Sequence, residues 1–205
     1  MFVFIWAENS QSRHCKNVNY RVHLFLNNLN VDHLFDINNP IPRSVITNVL
    51  DRYDTQLNVA WSNSIVNNVG KLRTYRLFKK VYGTEHYVKI NMPHNYRSAY
   101  AKFRCGVAPI RIETGRYEHL PVEQRICPMC NNNFVEDEIH VLTECAMYSD
   151  LRYDLTGLAR FFNREYELLN NVDKFCFLMS FDKLVFNTAK TLFLILTRRR
   201  ALLYL

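Results

Sequence analysis

Three thiols and one imidazole lie within nineteen positions of this chain, at a spacing that suits a metal ion. They belong to Cys127, Cys130, His140 and Cys145, which form the pattern C-x2-C-x9-H-x4-C. This set completes the tetrahedral shell of a structural Zn²⁺ ion and leaves no position open for water. A lone cysteine or histidine usually has an ordinary packing or surface role, but four zinc-competent residues this close together are seldom accidental. The pattern therefore predicts one structural zinc ion.

The second pair of ligands raises a question of geometry. His140 and Cys145 fall in a segment that the sequence predicts to be a short helix, and residues five apart on an unbroken α-helix point about 140° away from each other. The helix must therefore end or tighten before Cys145 if both side chains bind one ion. Glu136, Asp137 and Glu138 are possible substitute ligands, although acidic residues at this place more commonly favour the N-terminus of a helix.

The composition favours helices. Only five glycines and six prolines occur among 205 residues, and 48% of the chain is hydrophobic. Alternation at Ile110–Thr114 predicts one short strand. The expected fold is mainly α, a helical domain with a small embedded CCHC zinc-binding module and at most a short β-hairpin. Hydrophobic periodicity predicts helices over residues 17–34, 43–67, 71–82, 95–105, 148–162, 172–179 and 183–203.

Four regions follow from these patterns. We expect a poorly ordered start (1–15), a helical basic region (16–115), the CCHC zinc module (116–148) and C-terminal helices (149–205). The first seven residues are apolar but lack the basic start of a signal peptide. The apolar run Thr191–Leu196 is too short to span a bilayer, so we expect a buried helix there and no membrane partner.

The remaining cysteines indicate the redox compartment. Six cysteines occur in the chain, and the zinc pattern leaves Cys15, Cys105 and Cys176 outside it. An odd number of cysteines outside the zinc pattern, in a chain without a secretory signal, predicts free thiols. It also predicts an intracellular location, either nuclear or cytoplasmic.

The formal charge of +7 is concentrated in one segment. Residues 71–125 contain twelve basic and four acidic side chains, whereas the rest of the chain is close to neutral. Basic residues neutralise phosphates and release counterions, so this segment predicts RNA or DNA as a partner. The interleaved aromatics follow helical spacing, which favours the core over base stacking. The expected contacts are Arg73, Arg76, Lys80, Arg97, Arg104 and Arg116.

A second role is open for two of these side chains. Arg104 and Arg116 could pair with Glu113 or Glu138 and brace the zinc module instead of contacting phosphates. The two roles predict different effects of mutation, on binding in one case and on stability in the other.

Several stretches resemble the C-terminal region of non-LTR (LINE-type) retrotransposon polyproteins, downstream of the reverse transcriptase. The resemblance covers roughly residues 17–200 and is most specific over 103–152. It implies Cys127, Cys130, His140 and Cys145 as zinc ligands, and a role in nucleic-acid handling. It also implies Arg104, Arg116 and Arg152 as supporting residues, while Ala146 stands where related chains often have proline. The quoted stretches are KLRTY (71–75), FRCG (103–106), IETGRY (112–117), EQRICPMC (123–130), EDEIH (136–140), CAMY (145–148) and LR (151–152).

No catalytic motif accompanies this resemblance. The chain lacks Tyr-x-Asp-Asp, whose aspartates hold the metal ions of nucleotidyl transfer, and no endonuclease constellation stands out. We therefore expect no enzyme and no small-molecule substrate, but a zinc module that binds nucleic acid, a remnant or tail of a larger polyprotein. The alternative is a helical protein-interaction module with a purely structural zinc and a protein partner. A zinc hydrolase is disfavoured because the ligand shell is closed.

Overall fold

A computed structural model describes residues 27–28, 30, 43–67, 72–79 and 81–203. The chain divides into two compact units, residues 1–63 and 64–205. The predicted start region 1–15, nearly all of the predicted helix 17–34, and Lys80 lie outside the described residues. The packing discussed below is that of the second unit.

The described residues are mainly helical, which confirms the predicted fold class. The only β pairing among them is one antiparallel bridge between Ile126 and Val135. Short 3₁₀ turns lie at Val122–Gln124, Ala146–Tyr148, Tyr166–Leu168 and Asp182–Leu184, and a π-helical turn at His140–Glu144. The α-helices are α1 (Arg43–Asn67), α2 (Tyr75–Phe78), α3 (His86–Lys89), α4 (His94–Cys105), α5 (Arg111–Tyr117), α6 (Ser149–Phe162), α7 (Asn171–Ser180) and α8 (Val185–Leu203).

Local sequence explains where helix α7 begins and where helix α4 ends. The side chain of Asn170 accepts a hydrogen bond from the Asp173 backbone N–H at 2.9 Å, which caps the start of α7. Helix α4 ends because Gly106 adopts a φ of 67°, a left-handed conformation that glycine reaches without a Cβ clash. A Cβ there would also lie only 2.8 Å from Cγ of Arg73.

The core of the second unit forms where α4 packs against α8. The ring of Tyr96 on α4 lies 5.3 Å from that of Phe193 on α8, and Phe103 is fully buried. The hydroxyl of Tyr100 and the guanidinium of Arg104 both donate to the backbone oxygen of Met179. These two bonds fix the last turn of α7 against α4.

The C-terminal apolar run lies in α8 and packs into the core, as predicted. Leu192 and Ile195 have no exposed surface, and Thr188 is equally buried and donates to the Leu178 backbone oxygen. Of the helices in residues 43–67, 72–79 and 81–203, none has the length and apolarity needed to cross a membrane.

The predicted strand at Ile110–Thr114 is wrong, because helix α5 begins at Arg111. The first turn of α5 has its backbone donors satisfied by one residue far along the chain. The Arg111 N–H donates to the Glu136 carboxylate at 2.6 Å, and the Ile112 N–H donates to the Glu136 backbone oxygen at 2.9 Å. Both isoleucines of the apparent alternation are buried by this helix.

The predicted helix 71–82 is much shorter than expected, since only Tyr75–Phe78 is helical. Leu72 has a φ of 56°, which is incompatible with an α-helix, and Arg73 lies in the turn that follows. An unbroken helix over 71–82 would present Arg73, Arg76 and Lys80 together, but Arg73 lies outside the helix.

Candidate metal centre

The four predicted ligands converge in space. The ligand atoms of Cys127, Cys130, His140 and Cys145 all lie within 4.8 Å of one another. The Cys127 and Cys145 sulfurs are 3.9 Å apart, and the Cys130 sulfur lies 3.4 Å from Nε2 of His140. Two thiolates bound tetrahedrally at about 2.3 Å from zinc lie about 3.8 Å apart, so the spacing fits such an ion. The cluster could therefore hold one metal ion.

The first pair of ligands lies in a short hairpin. The Cys127 N–H donates to the Phe134 oxygen at 2.8 Å, and the Glu136 N–H donates to the Arg125 oxygen at 2.9 Å. Asn133 adopts a φ of 55°, which asparagine tolerates better than most residues and which reverses the chain. The bridge therefore places the Cys127–Cys130 loop beside the segment that carries His140.

A π-helical turn brings the second pair of ligands together. The Cys145 N–H donates to the His140 oxygen at 2.8 Å, the i to i+5 bond of a π-helix. This wider turn rotates position i+5 back towards position i, whereas an α-helix would leave the two side chains about 140° apart. The helical turn ends at Glu144, before Cys145, as expected, and this last turn is wider than an α-helical turn and not tighter.

Neighbouring polar groups orient His140. Its Nδ1 lies 3.5 Å from the Glu144 carboxylate, which also accepts from Asn171 at 2.6 Å. The backbone N–H of His140 donates to Asp137 at 2.7 Å. A carboxylate behind a metal-binding histidine fixes the ring and its tautomer, which leaves Nε2 for the metal.

The acidic residues considered as substitute ligands have other partners. The Glu136 carboxylate accepts from Arg199 at 2.9 and 2.8 Å, and that of Glu138 accepts from Arg73 at 3.1 and 2.5 Å. Asp137 accepts from the His140 N–H. Each carboxylate thus supports the module, and the three sulfurs and one nitrogen remain as the ligand set.

Without a metal ion, hydrogen bonds within the cluster shift the pKa values of Cys127, His140 and Cys145. The hydrogen bond with Cys145, together with burial, raises the pKa of the Cys127 thiol to about 12, and the same bond lowers the pKa of Cys145. Burial acts to lower the pKa of His140, but hydrogen bonds to the Cys127 and Cys130 sulfurs outweigh it and raise the pKa to about 9. Both shifts favour the protonated forms of Cys127 and His140.

We expect metal binding to release more than one proton at neutral pH, because the metal must displace the protons on Cys127 and His140. Protons then compete with the metal, and affinity falls as the pH falls. Calorimetric titration with Zn²⁺ in buffers of different ionisation enthalpy measures the number released. A binding enthalpy that does not depend on the buffer would contradict this expectation.

Two of the predicted nucleic-acid contacts brace the module. The guanidinium of Arg73 lies 2.5 Å from the buried Glu138 carboxylate and 3.3 Å from that of Glu113. Arg116 pairs with the same Glu113 at 3.0 Å while remaining partly exposed. The pairing considered for Arg116 is therefore present but lies within helix α5, whereas Arg73, for which no such role was considered, joins α5 to the buried Glu138.

Arg104 is buried, with 7% of its surface exposed. It pairs with Glu85 at 2.6 Å, not with Glu113 or Glu138, and its guanidinium carbon lies 4.1 Å from the centre of the Phe78 ring. Lys79 pairs with the same Glu85 at 2.9 Å. Arg104 thus ties α2 and the segment before α3 to α4, which leaves little of it available to a phosphate.

The remaining predicted contacts are Arg97, Arg76 and Lys80. Arg97 donates to the Ile90 backbone oxygen at 2.7 Å, Arg76 is half-buried, and Lys80 lies outside the described residues. Contact of any of them with nucleic acid stays a prediction.

Sequence reasoning missed the ion pairs that join distant segments. Arg199 and Glu136 are 63 positions apart, and Arg73 and Glu138 are 65 apart. Arg152, a supporting residue by resemblance, donates to the Val141 oxygen at 3.1 Å and so holds the π-helical turn.

Among the described cysteines, none forms a disulfide. No protein-family model, curated protein or solved structure matches this chain.

Proposed function

We propose that this chain is a non-catalytic module that folds around a structural Zn²⁺ ion and binds RNA or DNA. The observation that carries the proposal is the convergence of three sulfurs and one imidazole within 4.8 Å. Thiolates and imidazole suit zinc among the common divalent ions, and a four-ligand protein shell leaves no site for a reacting water. The ion would therefore support structure rather than chemistry.

The overall charge supports a nucleic-acid partner, and exposed lysines without an ion pair are better phosphate contacts than the paired arginines among the predicted residues. A cation already paired with a carboxylate adds little net potential, which discounts Arg73 and Arg104. Lys102 on α4 and Lys190 on α8 are exposed, on two helices that pack side by side, and neither forms an ion pair within residues 43–67, 72–79 and 81–203. We assign phosphate contacts to these two lysines, one on α4 and one on α8.

Binding to single-stranded RNA and to duplex DNA across salt concentrations tests the assignment. The double charge reversal Lys102→Glu/Lys190→Glu should weaken binding by about tenfold or more. The slope of log affinity against log salt concentration should fall by about one for each phosphate that is no longer neutralised. Both side chains are exposed, so the melting temperature should change little.

The reversal Arg43→Glu/Arg52→Glu on α1 makes the same change in net charge at two exposed positions and serves as the control. Equal weakening in both variants would mean that only total charge matters and that the α4–α8 assignment is wrong. A parent protein that binds no nucleic acid at low salt leaves the protein-interaction module as the better proposal. Internal pairing of Arg73, Arg104 and Arg116 already favours that second candidate.

On the basis of the resemblance, we also propose that the chain originated as the remnant or tail of a LINE-type polyprotein. Of the arginines that the resemblance implies, Arg152 donates to Val141 in the zinc module, Arg116 pairs with Glu113 on α5, and Arg104 pairs with Glu85. A reverse-transcriptase reading frame immediately upstream in the genome would support this origin. An unrelated, independently transcribed gene structure would contradict it.

A further inference from the structure

The buried carboxylate of Glu138 belongs to the turn 137–141, which also carries the metal ligand His140. The His140 N–H donates to the Asp137 carboxylate at 2.7 Å, and the Val141 N–H donates to the Asp137 backbone oxygen at 3.1 Å. These two bonds close over Glu138, so its backbone and that of His140 are fixed together. Any displacement of this turn would therefore displace the Glu138 carboxylate as well.

Arg73 approaches this carboxylate from a segment 65 positions earlier in the chain. Its guanidinium donates to both Glu138 oxygens, at 3.1 and 2.5 Å, and also to the Glu113 carboxylate at 3.3 Å. Among the residues that the structure describes, no other cation pairs with Glu138. Loss of Arg73 would therefore leave a buried carboxylate without a counter-charge, which is strongly destabilising.

Two adjacent side chains hold the start of the segment 72–79. Arg73 pairs with Glu138, and the hydroxyl of Thr74 donates to two backbone oxygens in the last turn of α4, at 2.8 and 3.0 Å. Gly106 leaves space for both side chains, since a Cβ there would lie 2.8 Å from Cγ of Arg73 and 3.2 Å from Oγ1 of Thr74. The start of this segment is thus attached to α4 on one side and to the turn 137–141 on the other.

We propose that metal binding at the candidate centre and docking of the segment 72–79 are coupled through the ion pair between Arg73 and Glu138. Arg73 is then a positioning residue, because it holds Glu138 and thereby the turn that carries His140. The coupling rests on the zinc site proposed above and does not depend on the nucleic-acid partner. It makes attachment of the first part of the basic segment depend on the metal.

Thermodynamic linkage makes this coupling reciprocal. A zinc site becomes ordered as the metal binds, so part of the binding free energy goes into ordering the turn 137–141. The pair between Arg73 and Glu138 forms only with the ordered turn, and it therefore adds to the apparent zinc affinity. By the same cycle, zinc strengthens the docking of the segment 72–79 by an equal factor.

Competition with a chelator of known zinc affinity measures the first half of the coupling, on the full chain under reducing conditions. Arg73→Ala should weaken Zn²⁺ binding by about tenfold or more, the effect that residues behind a ligand shell commonly have. Arg73→Lys keeps the charge but loses the two parallel bonds, so it should recover part of the loss. Glu138→Gln in the Arg73→Ala background should also recover part of it, because no unpaired charge is then buried.

Arg116→Ala is the matched control, since it makes the same change in net charge. Arg116 pairs with Glu113 at 3.0 Å within α5, and its side chain is 38% exposed. This variant should change zinc affinity less than about twofold, because exposed pairs contribute little. Unchanged zinc affinity in Arg73→Ala overturns the coupling, whether or not the melting temperature of the metal-free protein falls.

Amide hydrogen exchange measures the second half of the coupling. Removal of zinc should lower the protection of the Leu77 and Lys79 N–H groups, which donate to the backbone oxygens of Thr74 and Tyr75. Amides of α4 and α8 should keep their protection, because the packing of these two helices does not include the metal. Equal protection of Leu77 and Lys79 in the zinc-loaded and metal-free parent overturns the coupling alone. A parent that binds no Zn²⁺ overturns the proposed metal site together with it.

Discussion

Cys127→Ser should abolish stoichiometric zinc binding and unfold the segment from the Ile126–Val135 bridge to the π-helical turn. Cys127 is buried, and its sulfur lies 3.9 Å from that of Cys145. Structural zinc contributes on the order of 10–16 kcal/mol to the folding of finger peptides, so its loss should release the hairpin and the π-helical turn. Native mass spectrometry gives the zinc content, and amide hydrogen exchange gives the protection of the segment.

The matched control is Cys105→Ser, which changes the same atom on α4. Cys105 is half-buried and is not part of the ligand cluster, so this variant should keep one zinc ion per chain. Retention of stoichiometric zinc by Cys127→Ser would show that the ligand assignment is wrong.

The second large effect is expected at the buried ion pair between Arg199 and Glu136. The Glu136 side chain has no exposed surface, and Arg199 donates to it at 2.9 and 2.8 Å while the Arg111 N–H donates at 2.6 Å. Arg199→Ala would leave a carboxylate buried with much of its charge uncompensated. Breaking such a pair costs about 3–5 kcal/mol, so the free energy of unfolding should fall by that amount.

The neighbouring arginine provides the control. Arg198 also forms a two-bond pair with a carboxylate, Asp150, at 2.6 and 2.7 Å, but Asp150 is exposed. Exposed pairs contribute little because water solvates both charges well without the partner. Arg198→Ala should therefore change stability little in urea denaturation of the zinc-loaded protein. Equal destabilisation by the two variants would mean that burial of the Glu136 pair has no special effect.

Local sequence signals predicted much of the helical framework. The apolar face repeated over 43–67 gave α1 with the bounds that the structure shows, and Gly106 stops α4 through its positive φ. The ligand set was also predictable, because C-x2-C followed by a nearby histidine and cysteine needs only residue types and spacing.

The errors came from contacts between distant positions. Ile110–Thr114 alternates like a strand, but Glu136, more than twenty positions later, satisfies the donors of a helix N-terminus there. No local pattern marks that partner. The i to i+5 bond that joins His140 to Cys145 is likewise rare, and the ligand spacing alone did not distinguish a widened turn from a tightened one.

Counting charges missed ion pairs for a related reason. The count located the basic segment, but Arg73 pairs with Glu138 and Arg104 pairs with Glu85, each from another part of the fold. A sequence count cannot show which charges are neutralised by distant partners. Net charge therefore marks a basic segment without showing which of its side chains are available to a partner.

X-ray absorption at the zinc edge of the natively purified protein tests the central claim most directly. A closed structural site predicts three sulfur ligands at about 2.3 Å and one nitrogen at about 2.0 Å, with no oxygen neighbour. Such a spectrum would show that Cys127, Cys130, Cys145 and His140 fill the shell. A protein without metal, or a zinc ion with a bound oxygen at about 2.0–2.2 Å in place of a sulfur, would contradict the account.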